Sequence, residues 1–318
     1  MNNTKKLTTA SMMSSLFVVC TIALVSSGIG YTFYLDFIVP VFFTMICLKC
    51  DLKYSVLSGV TSLIIIGLIL GNLGTAIWAT QSVVLGILCG TLLNKDTTIK
   101  DDLVYGSIIS VLFMVLIDIY ASNLIGYSFM KEFQGYIKYF KNKEFANTIY
   151  YMFIALYPFG SMFSIYFLAL IFAKKLNILS GNSKKKYKII KNFRNYSRFI
   201  SCSKNVFYAC SLYFIAAQIL KFINFNISSV YLKTIFISVK YLCGYFIISD
   251  GYTVIQNYIM SKYKKIAYAR YLSLLTIISL VLVFNISVLA IIVLNIILDK
   301  KISIRLQQVD IVNRLVNQ

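Results

Sequence analysis

The run "TTASMMSSLFVV" (Thr8–Val19) begins the first apolar segment and indicates what surrounds this chain. It lies in a stretch from Leu7 to Gly28, which is long enough to cross the hydrocarbon core of a bilayer as a helix. Yet four positions that Leu or Ile would suit equally well carry small residues: Ala10, Ser11, Ser14 and Ser15. Small residues in a membrane helix allow a second helix to approach closely. We therefore predict a membrane span with a face for docking another helix, either within the chain or on a separate subunit.

Composition extends this interpretation to the whole chain. Of its 318 residues, 59% are hydrophobic and only 13% are charged, whereas soluble proteins carry about 25% charged residues. The apolar residues form long blocks, which predicts an all-α, polytopic integral membrane helix bundle. The net charge of +20 lies mainly in connecting loops. That distribution is expected for cytoplasmic loops and gives no reason to predict nucleic-acid binding.

Apolar runs and loop charge together predict about eight full spans. They are residues 7–28, 35–48, a third run ending at 70, a fourth ending at 94, then 103–123, 148–172, 206–223 and 233–259. Lys5 and Lys6 precede the first span, so the N-terminus is expected in the cytoplasm of a bacterial cell, with the chain crossing the plasma membrane repeatedly. We expect three regions: a six-span region 1–173, a basic connector 174–204, and a second membrane region 205–318.

The last apolar stretch, Tyr271 to Leu298, has two interpretations. As a hydrophobic hairpin turning near Asn285, it keeps the following basic tail inside, whereas one long ninth span leaves that tail outside. Charge favours the hairpin. Length argues against the hairpin, because each of its halves would have about 14 residues, which is short for crossing a core about 30 Å thick.

The connector carries ten Lys or Arg residues between Lys174 and Lys204. Within "KKKYKIIKNFRNYSRFI" (Lys184–Ile200), apolar residues recur at helical spacing and basic residues face the other way. This pattern is typical of a basic amphipathic helix on an anionic membrane surface, although a plain charged connector has the same composition. The expected lipid or partner contacts are Lys185, Lys188, Lys191, Arg194 and Arg198.

Ionisable residues inside predicted spans are costly and therefore suggest a function. Besides Asp118, these are Lys240 and Asp250, and Asp250 begins a polar stripe with Thr253 and Asn257. Ten residues separate Lys240 from Asp250, about 15 Å along a helix. Asp250 is therefore expected to need a partner from another span or a water-filled cavity. Both a structural clamp and a ligand site remain open.

The predicted outer ends of the first five spans bring aromatic, amide and carboxylate groups together. This combination suggests a small-molecule site rather than a catalytic one, although interfacial aromatic residues also arise as an ordinary belt. A longer outer segment, Lys131–Phe145, would lie on the membrane surface or cover the pocket. The candidate substrate-binding residues are Tyr31, Tyr34, Asp36, Asn72, Trp78 and Asp118.

Little in the sequence indicates catalysis. The chain has no histidine, so it lacks the commonest general base and metal ligand. "CLKC" (Cys47–Cys50) has no second Cys pair to complete a zinc or redox site. We predict no enzymatic activity, no catalytic residues, no metal and no cofactor.

Two resemblances refine this picture. The start, "KKLTTASMMSSLFVVCTIAL" (Lys5–Leu24), resembles the first helix of substrate-binding (S) components of energy-coupling factor (ECF) transporters. Their small-xxx-small motif packs on a membrane coupling subunit and corresponds here to Ala10 and Ser14. The whole chain is similar to the YybS-like family of uncharacterised bacterial membrane proteins, through "SDGYTVIQNYI" (Ser249–Ile259) and "NIILDKKISIRLQ" (Asn295–Gln307). That family usually has Gln where this chain has Asp250.

Two functions follow as expectations. The first is a transport-related, substrate-binding component that has no ATPase of its own and works with a coupling subunit and ATPases. The alternative is a non-transport membrane scaffold or regulator, which acts through the basic connector on anionic lipid or an acidic partner.

Overall fold

The structure, a computed structural model, describes residues 2–28, 33–71, 73–124, 126–137, 139–197, 199–223, 229–263, 268, 271–276, 278 and 284–317. The regular elements within these ranges are helices. They are α1 (Asn3–Ser27), a π-helical turn (Tyr34–Ile38) continuing into α2 (Val39–Leu70), α3 (Leu73–Asn94), α4 (Ile99–Leu124), α5 (Phe129–Ile137), α6 (Lys143–Lys175), α7 (Gly181–Lys191), α8 (Phe193–Tyr196), α9 (Lys204–Phe222), α10 (Val230–Tyr263), α11 (Phe284–Ile302) and α12 (Ile304–Asn317).

Among the described residues, seven helical segments are long and apolar enough to cross a membrane. They are α1, the π-turn with α2, α3, α4, α6, α9 and α10. The prediction of an all-α polytopic membrane bundle is confirmed. Pro158 lies inside α6 without ending it, as expected where neighbouring helices accommodate a proline.

One of these segments doubles back on itself. Asp51 has φ 69° and ψ 167°, so α2 is interrupted there. A straight helix would separate Phe43 from Gly59 by about 24 Å, yet a Cβ on Gly59 would lie 3.6 Å from the Phe43 ring. The halves of α2 before and after Asp51 are therefore antiparallel neighbours. They correspond to the predicted second and third spans on either side of "KCDLK" (Lys49–Lys53).

The chain forms two compact units, one comprising residues 1–96 and 105–187 and the other residues 97–104 and 188–318. In the first unit, α1 lies along both halves of α2. The Phe17 ring meets the Phe43 ring edge-on at 5.0 Å, and Lys6 pairs with Asp51 at the reversal. The predicted division into residues 1–173, 174–204 and 205–318 remains a prediction.

Glycine permits the close contact between the first half of α2 and α3. A Cβ on Gly86 would lie 2.4 Å from the Pro40 carbonyl oxygen, and one on Gly90 would lie 2.5 Å from the Cβ of Cys47. The Thr44 hydroxyl donates to the Gly86 carbonyl oxygen at 2.9 Å across this contact. Close backbone approach of this kind is how small residues stabilise membrane helix pairs.

In the second unit, α10 and α11 run in the same direction. A Cβ on Gly244 would lie 2.9 Å from the Phe284 ring, and one on Gly251 would lie 2.2 Å from the Ile291 side chain. One long span after α10 would instead make α11 antiparallel to α10. In the predicted hairpin, the second half of the last apolar stretch runs in the same direction as the preceding span. The parallel α10 and α11 agree with that prediction.

The predicted position of the hairpin turn, near Asn285, remains a prediction. Asn285 lies in the first turn of α11, where its side-chain oxygen accepts a hydrogen bond from the Gln218 amide. The side chain of Asn285 is therefore satisfied by α9. Residues 279–283, just before α11, lie outside the described residues.

Candidate ligand cavity and buried ion network

A cavity of about 510 Å³ opens in the first unit. Its wall comes from the π-turn, the first half of α2, α3, α4, α5 and α6, together with the loop before α5. Three predicted substrate residues, Asp36, Trp78 and Asp118, line it. The sequence did not identify four aromatic lining residues: Tyr127, Phe129, Phe153 and Tyr157.

Asp36 is a partly exposed carboxylate in this wall. The Tyr157 hydroxyl donates to its Oδ2 at 3.2 Å, and the described residues contribute no hydrogen bond to its other oxygen. The carboxylate is therefore oriented by α6 and keeps one oxygen available. This contact joins two residues far apart in the sequence, so hydropathy alone could not indicate it.

Asp118 also lines the cavity but is 5% exposed. Its Oδ2 accepts the Ser128 hydroxyl at 2.6 Å, and its Oδ1 accepts the Phe129 backbone N–H at 2.8 Å. A carboxylate that receives the first N–H groups of a helix stabilises that helix terminus. Asp118 thus holds the start of α5, and its predicted contact with a ligand remains a prediction.

The outer segment that includes α5 covers part of the cavity. Met130 is fully buried and, with Phe129, lines the cavity wall, while Phe133 stacks on Tyr150 at 5.1 Å between ring centroids. The buried face of this segment continues to Ile137. It does not include Phe140, which is 55% exposed and follows the helix.

Other predicted substrate residues lie elsewhere. Tyr34 is buried, and its hydroxyl lies 3.1 Å from the Thr21 hydroxyl, so it packs against α1 and is not among the residues that line the cavity. Tyr31 and Asn72 lie outside the described residues.

The small residues of α1 divide into two faces. Ala10 and Ser14 are buried, and the Ser14 hydroxyl lies 2.6 Å from the hydroxyl of Ser62 in α2. Their close approach is therefore to the second half of α2. Ser11 and Ser15 are exposed on the other side of α1.

A buried ion network lies in the second unit, and we define it as Lys100, Asp250, Asp299 and Arg305. Asp250 is fully buried. Its Oδ2 lies 2.7 Å from Arg305 Nη2, and its Oδ1 accepts the Cys202 backbone N–H at 2.6 Å. Lys100 Nζ lies 3.6 Å from the same Oδ1. The predicted need for partners outside α10 is thus met by three other parts of the chain.

Arg305 is 2% exposed. Its guanidinium lies 3.8 Å above the Phe207 ring centroid, and its Nε lies 3.4 Å from Asp299 Oδ2. Nη2 also donates to Asn295 at 3.3 Å. The charge of the buried Asp250 carboxylate is already compensated by these donors. The network therefore has the geometry of a structural clamp that joins α9, α10, α11 and α12.

The remaining intramembrane polar residues differ in their surroundings. Thr253 accepts a hydrogen bond from Lys100 at 3.3 Å, which links the predicted stripe to the network. Lys240 belongs to a different contact, because its ammonium lies 5.6 Å from the Phe214 ring centroid. Asn257 is partly exposed one turn beyond Thr253.

The basic connector is helical in two pieces, α7 and α8. Lys185, Lys188, Lys191 and Arg194 are exposed, whereas Arg198 lies outside the described residues. Lys186 is buried and donates to the carbonyls of Leu92 and Lys95 at 2.7 and 2.8 Å. Tyr196 and Ile200 are buried as the amphipathic pattern predicts, but Phe193 is 56% exposed.

The described residues offer little for metal or thiol chemistry. They contain no group of three or more Cys, Asp or Glu placed to hold a metal ion, and Cys47 and Cys50 are buried free thiols. Burial raises the pKa of the Cys202 thiol well above its usual value, and the Asp250 carboxylate acts in the same direction. A protonated thiol is a weak nucleophile and a weak metal ligand.

The fold defines a class: the chain is a polytopic α-helical membrane protein. Residues 15–142 match the model of a family described as "Predicted membrane protein (DUF2232)". The matched segment includes Asp36, Trp78 and Asp118 but ends before α6 and the second unit. No curated protein and no solved structure matches the chain.

Proposed function

We propose that this protein is a non-enzymatic, transport-related binding component, which takes a small molecule into the cavity and relies on partner subunits for energy. One observation carries the proposal: three residues chosen from sequence as a substrate site, Asp36, Trp78 and Asp118, line a single cavity. Its volume of about 510 Å³ lies in the range of about 300–1,000 Å³ typical of small-molecule sites. The resemblance of Lys5–Leu24 to the first helix of ECF S components supports the same function.

The position of the cavity supports an outward-facing site. Lys6 pairs with Asp51 at one end of the first unit, and Lys186 binds the last carbonyls of α3 at that end. The cavity is built from the opposite ends of α2 and α3. Basic residues mark the cytoplasmic side, so we propose a cytoplasmic N-terminus in a bacterial plasma membrane and a cavity that opens outside.

Native mass spectrometry of the detergent-purified protein tests the binding function. We expect a retained small molecule, and we expect Ser161→Phe to abolish its retention, because Ser161 lines the cavity and an aromatic ring would fill it. Ser164→Phe is the matched control, since Ser164 lies on the same helix and is not among the lining residues. Equal retention in both variants would contradict the proposal.

The exposed face of α1 provides a test of partner docking. Of the four small residues singled out on α1, Ser11 and Ser15 are exposed, and they stand four positions apart, the spacing of close membrane helix packing. We expect Ser11→Leu with Ser15→Leu to abolish co-purification with co-expressed coupling and ATPase subunits. Met12→Leu, a conservative change on the same exposed face, should leave that association intact. Persistence of the complex in the double variant means that this face does not dock a subunit.

The scaffold alternative is favoured by the exposed lysines of the connector. Changing Lys185, Lys188 and Lys191 to Glu should at least halve the anionic lipid retained on purification, because each cation contributes about 1 kcal/mol near an anionic surface. Native mass spectrometry measures the phosphatidylglycerol bound. Lys131, Lys141 and Lys143, exposed at the other end of the first unit, provide the matched triple-Glu control. If only the control variant loses lipid, this alternative fails.

A further inference from the structure

We infer that the cavity selects an organic cation, an amine or quaternary ammonium on an apolar body, with Asp36 as its counter-ion. This inference rests on the proposed binding function and adds the chemical class of the ligand. The observation behind it is an imbalance of charge. The residues lining the cavity, all within the described part of the chain, include two carboxylates and no Lys or Arg, in a protein with 31 Lys and Arg residues and only 11 Asp and Glu.

The two carboxylates have different roles. Asp118 uses both oxygens to hold the start of α5, so its charge is already compensated by donors. Asp36 receives one hydrogen bond, from Tyr157, and its Oδ1 has no partner among the described residues. A partly buried carboxylate beside an apolar wall attracts a cation more strongly than it would in water.

The aromatic wall favours the same ligand class. Trp78, Phe153 and Tyr157 line the cavity together with Asp36, and Phe153 stacks on Tyr157 at 5.9 Å between ring centroids. Aromatic faces attract cations, tryptophan most strongly, and aromatic cages recognise quaternary ammonium groups. An anion would be repelled by the negative faces of these rings and by the Asp36 carboxylate. The lining residues include none of the cationic side chains expected in an anion site.

The single tryptophan makes the inference directly measurable. Trp78 is the only Trp in the chain and it lines the cavity, so its fluorescence reports occupancy. The probes are 2-phenylethylammonium, 2-phenylethanol and phenylacetate, which share a phenyl body and differ in charge. We expect the cation to bind about tenfold or more tightly than the alcohol, a difference of about 1.4 kcal/mol or more, and phenylacetate to bind most weakly.

Two variants assign the preference to Asp36. Asp36→Asn should remove the advantage of the cation and leave the affinity for 2-phenylethanol within about twofold. Asp96→Asn is the matched control, because Asp96 is exposed in the same unit and outside the cavity lining. If the alcohol or phenylacetate binds as tightly as the cation, or Asp36→Asn leaves the preference unchanged, the cation inference is overturned while the binding function stands. If none of the three probes changes the Trp78 fluorescence, the cation inference is likewise overturned, whereas the binding function itself fails if native mass spectrometry finds no retained small molecule.

Discussion

Arg305→Leu is expected to lower the free energy of unfolding by about 3–5 kcal/mol, because breaking a buried ion pair leaves a charge without compensation. The loss of Arg305 strands two buried carboxylates, Asp250 and Asp299. Asp250→Leu with Arg305→Leu removes one charge of each sign, so the double variant should be more stable than Arg305→Leu alone. SDS titration of the detergent-purified protein measures all three differences.

Arg314→Leu is the control, since Arg314 is exposed on the same helix as Arg305. It should change stability by less than about 0.5 kcal/mol. Arg305→Lys adds a second check, because lysine keeps the charge but not the planar group above Phe207. If Arg305→Leu proves as stable as Arg314→Leu, the network does not act as a clamp.

Gly86→Ala is expected to destabilise the first unit, although alanine in a helix normally gains about 1 kcal/mol over glycine. The added Cβ would lie 2.4 Å from the Pro40 carbonyl oxygen and 2.9 Å from the Pro40 Cα. Backbone atoms cannot move away by rotation about a side-chain bond. The added Cβ therefore forces α3 away from the first half of α2. Overpacking of this kind costs about 1–3 kcal/mol.

The same variant should weaken ligand retention, because Pro40 also forms part of the cavity wall. Thermal unfolding followed with a thiol-reactive dye is suitable, since six of the seven cysteines are buried. Gly160→Ala is the control: a Cβ there would meet nothing within 4 Å, so stability should hold or rise. A Gly86→Ala protein as stable as the Gly160→Ala protein would show that α2 and α3 do not pack this tightly.

Hydropathy and loop charge predicted most of the helices and the return of the chain after α10. These features depend on local sequence, because a span is a continuous apolar run. The reversal at Asp51 was also predictable, since "KCDLK" interrupts such a run. The exact position of the turn before α11 was harder to predict, because a lone polar residue such as Asn285 has the same sequence signature in a turn as at a contact with a neighbouring helix.

The residues of the cavity were predictable only in part, because some stand at recognisable helix ends and others do not. Asp36, Trp78 and Asp118 stand at helix ends that the alternation of spans brings to one side. Tyr157 and Phe153, by contrast, lie mid-helix in an aromatic-rich run, where nothing local distinguishes a cavity residue from one that faces lipid. The counter-ions of Asp250 could not be predicted for the same reason. Lys100 follows the fourth predicted span and Arg305 lies in the basic tail, so hydropathy indicates neither as a partner of a buried carboxylate.

The position of Arg305 also has a bearing on biosynthesis. Arg305 follows Asp250 by 55 residues, so at about 5–20 residues per second the ribosome needs roughly 3 to 11 seconds to supply the guanidinium after the carboxylate. Until then α10 carries an acid that only Lys100 and a backbone amide oppose. The second unit therefore reaches its final assembly only when α12 has been made. Membrane quality-control proteases would encounter a nascent chain whose unfinished state is signalled by a carboxylate that still lacks its arginine.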